Sequence, residues 1–523
     1  MLKMNKEILK FCLEKGFLVD NDLLELFNET SDIESVKLII ERVKNYTGQN
    51  ILTKNFFEQN KEKVNKFFLD LPEENKKGLE KLRIKLGLSI EISKEIESTE
   101  KNEEVNNFQN NVNILSYTPE ETKKLGVKDF VTHFRNRFNR MKDILQEHSE
   151  LDNLVSIDKI SGNRQGISII GIVYSKKVTK NKNIILEVED ITGKIKVLIS
   201  QSKPELFKIA ENICFDSVLG FRCSGSREIL FANEIVFPDA MIPERKKSPK
   251  EEYALFIGDL HFGSKRFLKD GFLRFLDYLN GKMPNTPEVE KIKYLFIVGD
   301  LVTGVGNYPN QEIDLEINDL EEQFIELAKL LAQIPKHIQI IISAGNHDGV
   351  RLMEPQPIFD EKYAWSLNQL DNLIITENPC NLNIGAQEGF LGFDILTYHG
   401  FSYPYYANNI SDLISKKAMN SPEEIMKYLL KNRHLAPSHA STQYYPHEED
   451  RLFIKNVPDI FVSGHTHKSA VTYYNNILVI STSCWEAMTP YQEKFGNEPD
   501  HCKVPMMNLQ TRGIKILDFE DEN

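Results

Sequence analysis

Five short apolar runs in the second half of the chain each lead into residues that can bind a metal ion or transfer a proton. In chain order these residues are Asp259 and His261, Asp300, Asn346 with His347 and Asp348, His399, and His465 with His467. The runs are short and rich in β-branched residues, which predicts strands. Because open α/β sheets bind ligands outside the carboxyl ends of their strands, we expect these side chains to share one crevice.

The chemistry of these side chains favours a centre with two divalent metal ions. Carboxylate, imidazole and amide groups together suit Mn²⁺, Fe or Zn²⁺ better than Ca²⁺. Mn²⁺ is the expected metal, and Fe, Zn²⁺ and Mg²⁺ are alternatives. Two ions about 3.5–4 Å apart can share a bridging hydroxide that attacks a phosphate ester in line.

Each motif by itself has an ordinary structural explanation. Asp259 could cap a turn, His261 could lie on the surface, and a Gly-Asp pair before Leu301 is a common turn. The motifs DxH, GD, GNHD, HG and GHTH occur in this order, however, and each follows a strand-like run. A coincidental arrangement of all five is improbable, so the sequence predicts a metal site.

Residues 156–242 change to short alternating runs and predict a small OB-like barrel of about five strands. The residues Asp190–Gly193 separate two of these runs, as in a hairpin. Four lysines crowd the first connection: Lys176, Lys177, Lys180 and Lys182. Such barrels often bind single-stranded nucleic acid, but a solvated run of charge or a docking face explains the lysines equally well.

The remaining segments complete an expected α+β multidomain fold. Residues 1–90 predict a helical N-terminal domain, either an interaction module or a packing extension. Residues 91–113 predict a flexible linker because they are rich in Glu, Lys and Asn. Residues 114–155 predict a connecting helix, and residues 253–523 predict the domain that carries the metal site. The apolar stripe of the connecting helix is expected to pack in a core: Phe130, Phe134, Phe138, Met141 and Ile144.

The composition of the chain disfavours membrane-spanning proteins, secreted proteins and proteins that bind nucleic acid unaided. The apolar runs are far shorter than the roughly 20 residues that cross a bilayer, and the first residues lack a signal-peptide pattern. We therefore expect no membrane partner. The six cysteines form no CxxC pair, so we expect reduced thiols and a cytoplasmic protein. The formal net charge of −13 disfavours unassisted binding to nucleic acid. Metal ions or a basic partner would have to offset the repulsion.

The five ordered motifs resemble those of the calcineurin-like metallophosphoesterase superfamily, whose domain is a β-sandwich flanked by helices. More narrowly, residues from about 115 to 523 resemble the small subunits of archaeal family D DNA polymerases. The narrower resemblance rests on VKDFVTHFRNRF, LEVEDITGKIKVLIS, NHDGVRLMEPQP and KVPMMNLQTRGIKILDF. It implies a calcineurin-like αββα domain after the barrel, and a proofreading 3′→5′ exonuclease that acts on DNA 3′ ends. The implied partner is the large catalytic subunit of the polymerase.

The resemblance also implies a role for each motif residue. Four side chains would hold one metal: Asp259, His261, Asp300 and His467. The second metal would share the bridging Asp300 and be held by three more: Asn346, His399 and His465. His347 would contact the scissile phosphate and protonate the departing 3′ oxygen, and Asp348 could orient it. Eukaryotic B-subunits of similar architecture have lost most of these ligands, so their presence here favours an active nuclease.

Two other functions remain consistent with the sequence. The chain could be a scaffold for the polymerase large subunit with a purely structural metal site, although such a site has no use for His347. It could instead be a stand-alone phosphoesterase, although that activity needs neither the barrel nor the helical domain.

Two further groups of residues could bind DNA or a partner protein, and the sequence does not decide whether they do. Tyr403, Tyr405 and Tyr406 could stack a frayed 3′ base, or they could pack within an insertion at 401–457 or face a partner subunit. Four residues have the spacing of a sliding-clamp box, with lysine in place of the usual glutamine: Lys61, Val64, Phe67 and Phe68.

Overall fold

The computed structural model describes residues 112–115 and 124–520, and near the start residues 8, 10–12, 15, 18, 19, 36, 37, 40, 51 and 52. The chain forms two compact units, Met1–Glu103 and Glu104–Asn523. In the first unit, strands β1 (Leu18–Val19) and β2 (Ile51–Leu52) pair in parallel, and residues 8, 10–12, 36, 37 and 40 are helical. The rest of the predicted helical domain, the clamp-box residues and most of the predicted linker lie outside the described residues.

The second unit begins with strand β3 (Val112–Ile114) and helix α1 (Val127–Leu145). Val112 and Asn113 were predicted as the end of the linker, but they belong to β3, which pairs with a strand of the last domain. So short a strand shows no alternation in the sequence. The predicted apolar stripe of α1 is confirmed, because Phe138 and Met141 are buried.

No helix in the described part of the chain is long and apolar enough to cross a bilayer.

Five strands between residues 164 and 236 close into a barrel in the order β4-β5-β6-β8-β7. Their bounds, with helix α2 in its place in the chain, are β4 Arg164–Val178, β5 Ile184–Asp190, β6 Gly193–Ile199, α2 Pro204–Glu211, β7 Val218–Gly225 and β8 Leu230–Val236. The hairpin predicted at Asp190 is confirmed. The Asp190 carboxylate accepts hydrogen bonds from the backbone N–H groups of Thr192 (2.7 Å) and Gly193 (3.0 Å), which stabilises the tight turn.

Two six-stranded sheets form the last domain. The first has the order β12-β11-β10-β9-β18-β19 and the second the order β16-β17-β15-β14-β13-β3. The bounds of the first are β9 Tyr253–Ile257, β10 Ile292–Val298, β11 Gln339–Ser343, β12 Leu373–Thr376, β18 Lys503–Asn508 and β19 Ile514–Asp518. Those of the second, besides β3, are β13 Cys380–Ile384, β14 Phe393–Tyr398, β15 Ile460–Ser463, β16 Ala470–Tyr474 and β17 Ile477–Ser481.

The two sheets pack face to face, and helices cover both outer faces. Along β9, Ala254 and Phe256 enter the core between the sheets, whereas Leu255 and Ile257 pack against the helices. Because both faces of these strands are buried, their sequences are continuous apolar runs. The α-helices of this domain are α3 Lys269–Leu279, α4 Leu320–Leu331, α5 Glu361–Ala364, α6 Tyr403–Asn409, α7 Ser411–Ser415, α8 Pro422–Asn432 and α9 Pro490–Phe495. Short 3₁₀ turns lie at Ile157–Lys159, Val289–Lys291, Gln311–Ile313, Leu367–Gln369 and Ala418–Asn420.

A buried ionic network joins α1 to the 401–457 insertion. The Asp450 carboxylate contacts Arg137 Nε at 2.5 Å and His434 Nε2 at 2.9 Å, and Arg137 also donates to the Pro437 carbonyl. Burial alone would raise the pKa of Asp450, but Arg137 and His434 hold it well below its usual range. Burial lowers the pKa of His434 to about 4. The insertion is therefore fastened to the connecting helix by a charged pair that has no access to water.

Replacing Asp450 by alanine is expected to destabilise the protein by about 3–5 kcal/mol, because the Arg137 guanidinium would stay buried without its counter-charge. The measurement is the free energy of unfolding in urea. Glu449→Ala is the matched control, since Glu449 pairs with Arg140 of the same helix on the exposed side. The control should cost less than about 1 kcal/mol. Equal losses for the two variants would contradict the prediction.

Candidate metal centre

The structure brings all seven predicted metal ligands to one place, at the carboxyl ends of strands from both sheets. In the first sheet, β9 leads to Asp259 and His261, β10 to Asp300, and β11 to Asn346. In the second sheet, β14 leads to His399, and β15 to His465 and His467. The strands of each group run parallel, so their ends lie side by side. The expected crevice is therefore formed between the edges of two sheets.

Asp259, His261 and His467 make up one side of the cluster. The Nε2 atoms of His261 and His467 are 3.0 Å apart. His467 Nε2 is 3.7 Å from Asp259 Oδ1. The three residues offer ligand atoms within 4.8 Å of one another, a spacing that could accommodate one metal ion.

The other side is formed around His399. Its Nε2 atom lies 3.0 Å from Asn346 Oδ1 and 3.3 Å from His465 Nδ1. Asp300 stands between the two sides, because its Oδ2 atom is 3.2 Å from His399 Nε2 and 3.7 Å from His261 Nε2. This geometry fits the division of ligands that the resemblance implied, with Asp300 as the bridging carboxylate.

Glycines in the motifs allow the ligands to approach the backbone closely. A Cβ atom at Gly299 would lie 2.2 Å from His399 Nδ1, and one at Gly345 would lie 2.3 Å from Asp300 Oδ1. Any side chain at either position would displace a candidate ligand. Asp300 and His465 themselves have positive φ angles of 48° and 71°, a backbone conformation that costs energy and often marks functional sites.

The electrostatics of the cluster favour metal ligation. Burial would raise the pKa of Asp300, but His399 and His347 hold it well below its usual range. Burial would lower the pKa of His399, but the charge of Asp300 raises it to about 10. Burial raises the pKa of Asp259 well above its usual range and lowers that of His465 to about 3. His399 thus carries a proton whose charge is balanced by the Asp300 carboxylate, and a divalent cation would take the place of that proton. Carboxylate, imidazole and amide donors together fit such a cation.

His347 lies beside this cluster and is held by the backbone. Its Nδ1 atom is 3.0 Å from the Thr303 carbonyl, and its backbone N–H donates to Asp300 Oδ1 at 2.8 Å. Its ring meets that of His261 edge to face, with centroids 4.9 Å apart. The Asn307 amide nitrogen is also 3.2 Å from Nδ1. Because a carbonyl only accepts, the shorter contact with Thr303 requires a proton on Nδ1, and Nε2 is then the nitrogen free for chemistry.

Asp348 supports His347 differently from the predicted way. Its carboxylate accepts hydrogen bonds from the backbone N–H groups of Val302 (2.9 Å) and Gly345 (2.8 Å). Burial raises its pKa to about 7. The contact that orients the His347 ring is the Thr303 carbonyl, so Asp348 acts on the two loops and not on the imidazole.

Two residues near the ligands were missed by the sequence analysis. The Asn378 side chain accepts a hydrogen bond from the backbone N–H of His399 at 2.8 Å. Gln492 Nε2 lies 2.8 Å from His467 Nδ1, and residues of this kind orient metal ligands. The only sequence signal for Gln492 is its place in a helix-capping pattern that begins at Thr489.

The tyrosines of the 401–457 insertion pack and do not line an open surface. Tyr403 and Tyr406 are fully buried, and they share a core with helix α8 and the outer face of the second sheet. Tyr405 contacts Cys214 of the barrel domain. The packing alternative is therefore confirmed, and base stacking by this tyrosine cluster is excluded for its two buried members.

Replacing Glu354 by glutamine is expected to stabilise the protein at pH 8. Burial raises the pKa of Glu354 to about 8, and its Oε2 atom accepts a hydrogen bond from Tyr398 at 2.9 Å. The folded state thus keeps a proton that the unfolded chain releases at its ordinary pKa near 4.5. Stability must therefore fall as the pH rises between these values. Glutamine makes the same hydrogen bond without that loss.

The gain at pH 8 should be roughly 1–3 kcal/mol, measured by urea unfolding of the full chain in EDTA at several pH values. Glu388→Gln, at an exposed position, is the matched control. A pH dependence that is the same in the wild type and Glu354→Gln would refute the assignment of a buried neutral carboxyl.

Comparisons with known proteins agree with this architecture. Residues 254–469 match the family model for calcineurin-like phosphoesterases. The chain is 37% identical to the DNA polymerase II small subunit of Pyrococcus furiosus over 75% of its own length and 64% of that protein. It is 34% identical to the protein of the same name from Pyrococcus horikoshii, over 86% of this chain and 73% of that one. It is 33% identical to the DNA polymerase II small subunit of Methanothermobacter thermautotrophicus, over 77% of this chain and 81% of that protein. The chain thus spans a little under two thirds of the Pyrococcus furiosus relative.

Proposed function

Because the chain belongs to the family of archaeal DNA polymerase II small subunits, we propose that it is the proofreading 3′→5′ exonuclease subunit of a family D DNA polymerase. Its substrates are phosphodiester bonds at DNA 3′ ends, and its cofactors are two divalent metal ions, with Mn²⁺ as the expected metal. Its partner is the large catalytic subunit of the polymerase.

The observation that carries this proposal is the position of His347. The residue lies against the candidate ligands, yet its Nδ1 atom is bound to the Thr303 carbonyl. A scaffold with a structural metal site has no need of a histidine held in this way. A nuclease needs it, because the departing 3′ oxygen must receive a proton.

In the proposed mechanism, the seven candidate ligands would hold two divalent metal ions, which would activate a water molecule for attack on phosphorus and offset the charge of the phosphate. Asp300 holds the two sides of the centre together and also fixes the backbone of His347. His347 would act as an imidazolium: its Nδ1 proton stays on the Thr303 carbonyl, and its Nε2 proton passes to the 3′ oxygen as the bond from that oxygen to phosphorus breaks, which leaves the ring neutral. Asp348 keeps the loops after β10 and β11 in register, so that the proton donor stays beside the phosphate.

The barrel and the domain division are part of the proposal. The strand order β4-β5-β6-β8-β7, with a helix between β6 and β7, supports an OB-type barrel. Lys176 donates to the carbonyls of Glu211 and Ile213 at 2.8 Å. Its ammonium group therefore caps the carboxyl end of α2. The proposed division is a helical domain at 1–90, a linker that ends before Val112, a connecting segment from there to 155, the barrel at 156–242 and the metal-site domain at 253–523. The sliding clamp remains a predicted partner only through the Lys61–Phe68 motif.

The test is digestion of a primer labelled at its 5′ end and mismatched at its 3′ end, by the full chain alone and with the large subunit. Stepwise shortening from the 3′ end with Mn²⁺, and none with EDTA, is the expected result. A fully paired primer is the matched control and should be shortened more slowly.

Two outcomes would favour the other functions. No shortening even in the presence of the large subunit would favour the scaffold. Rapid hydrolysis of a simple phosphomonoester such as p-nitrophenyl phosphate, without action on DNA, would favour a stand-alone phosphatase.

A further inference from the structure

Helix α9 carries two exposed aromatic rings beside the candidate metal centre. Tyr491 is 67% exposed and Phe495 is 59% exposed. The two rings lie on the same face of the helix, with centroids 4.6 Å apart and planes at 45°. Large aromatic rings usually bury their apolar surface, so a contacting pair left open to solvent indicates a binding surface.

The position of this ring pair is tied to the metal centre. Gln492, next to Tyr491 in the helix, reaches His467 Nδ1 at 2.8 Å. The start of α9 is held by reciprocal hydrogen bonds between Thr489 and Gln492. A helix connected directly to a candidate ligand cannot move far from it, so the two rings, one and three positions from Gln492, lie near the metal centre.

We propose that the ring pair Tyr491–Phe495 is a stacking subsite for the terminal bases of a single-stranded DNA 3′ end. The inference rests on the proposed exonuclease function. A strand whose last phosphodiester reaches His347 must place its bases at the rim of the same crevice. Every base has a π-face, so stacking on aromatic rings tolerates any sequence, as removal of any mismatched nucleotide requires.

One lysine and one glutamate of the same helix, Lys494 and Glu493, are exposed beside the rings. The Lys494 ammonium group lies 5.8 Å from the centre of the Phe495 ring, where it can attract the DNA backbone while the rings receive bases. The alternative stacking residues, Tyr403 and Tyr406, are buried.

The experiment uses the full chain loaded with Mn²⁺ and carrying His347→Ala, so that the DNA is not consumed. The probe is a single strand with 2-aminopurine at its 3′ terminus, whose fluorescence is quenched by stacking. Adding Tyr491→Ala and Phe495→Ala together should abolish the quenching and raise the Kd at least about tenfold. Tyr491→Phe with Phe495→Tyr is the matched control, which keeps two rings and should keep both signals. Both residues are exposed, so the folded state should persist in every variant.

The outcomes separate this inference from the proposed function. Quenching that depends on the two rings, together with a wild-type chain that never cleaves DNA even with the large subunit present, would support the subsite and reject the exonuclease. Unchanged quenching after loss of both rings would overturn the subsite, even if the wild type is an active exonuclease. If the ring variant instead loses only its binding to the large subunit, α9 is a protein interface and the stacking proposal is wrong.

Discussion

The variant His347→Ala is expected to lose DNA hydrolysis by a factor of about 10²–10⁴ while it retains its metal ions. The factor is typical for removal of a general acid. The metal content should persist because the Nδ1 atom of His347 is bound to Thr303, and the seven candidate ligands remain in place. Single-turnover digestion measures the rate, and elemental analysis of the dialysed protein measures the metal.

The choice of leaving group makes this prediction sharper. Hydrolysis of thymidine 5′-(p-nitrophenyl phosphate) releases a weakly basic phenolate that needs no proton, so the variant should be nearly as fast as the wild type on this substrate. His148→Ala is the matched control, since the partly exposed His148 side chain lies just after helix α1, with its Nδ1 atom 3.9 Å from Glu150. Equal losses on both substrates would show that His347 positions the metal centre and is not the acid.

The variant Asp300→Ala is expected to lose both metal ions and all detectable nuclease activity. Its Oδ2 atom faces His399 on one side and His261 on the other, so one substitution removes a ligand from each half of the centre. We expect metal affinity to fall by more than about 100-fold, the upper end of the effect of losing a residue that merely supports a ligand. Its Oδ1 atom also holds the backbone of His347, which would be released.

Two further variants separate this prediction from general unfolding. Asn346→Ala removes a contact from the His399 side alone, so it should lower the metal content by a single ion. Asp277→Ala changes a carboxylate that pairs with Lys282 on the surface, and it should leave metal content and activity unchanged. An Asp300→Ala protein that folds and still binds two ions would refute the bridging role.

Much of the fold was predictable because its signals are local. Strands β9, β10 and β11 are buried on both faces, which makes them continuous apolar runs that differ from the surrounding helices. The turn at Asp190 was predictable because one carboxylate caps it. Strand β3 was not predictable, since three residues next to a polar linker carry no periodicity and pair only because β13 presents an open edge.

The candidate ligands were predictable for a related reason. Each follows a strand within a few residues, and a glycine lies within or directly beside all five motifs because the backbone must turn where the ligands crowd. Short stretches of the sequence therefore determined the candidate residues of the centre and the strands that carry them. The sandwich was implied only by the resemblance of the five motifs to the calcineurin-like superfamily.

Only the tertiary structure decided which of these residues meet. His261 and His467 are 206 positions apart and come within 3.0 Å because β9 and β15 lie in different sheets whose ends converge. The Thr303 carbonyl that orients His347, the Gln492 that contacts His467 and the buried Asp450 network are also contacts between distant segments. Such contacts follow from the order of the strands and the packing of the two sheets, which the pattern of neighbouring residues along the chain does not record.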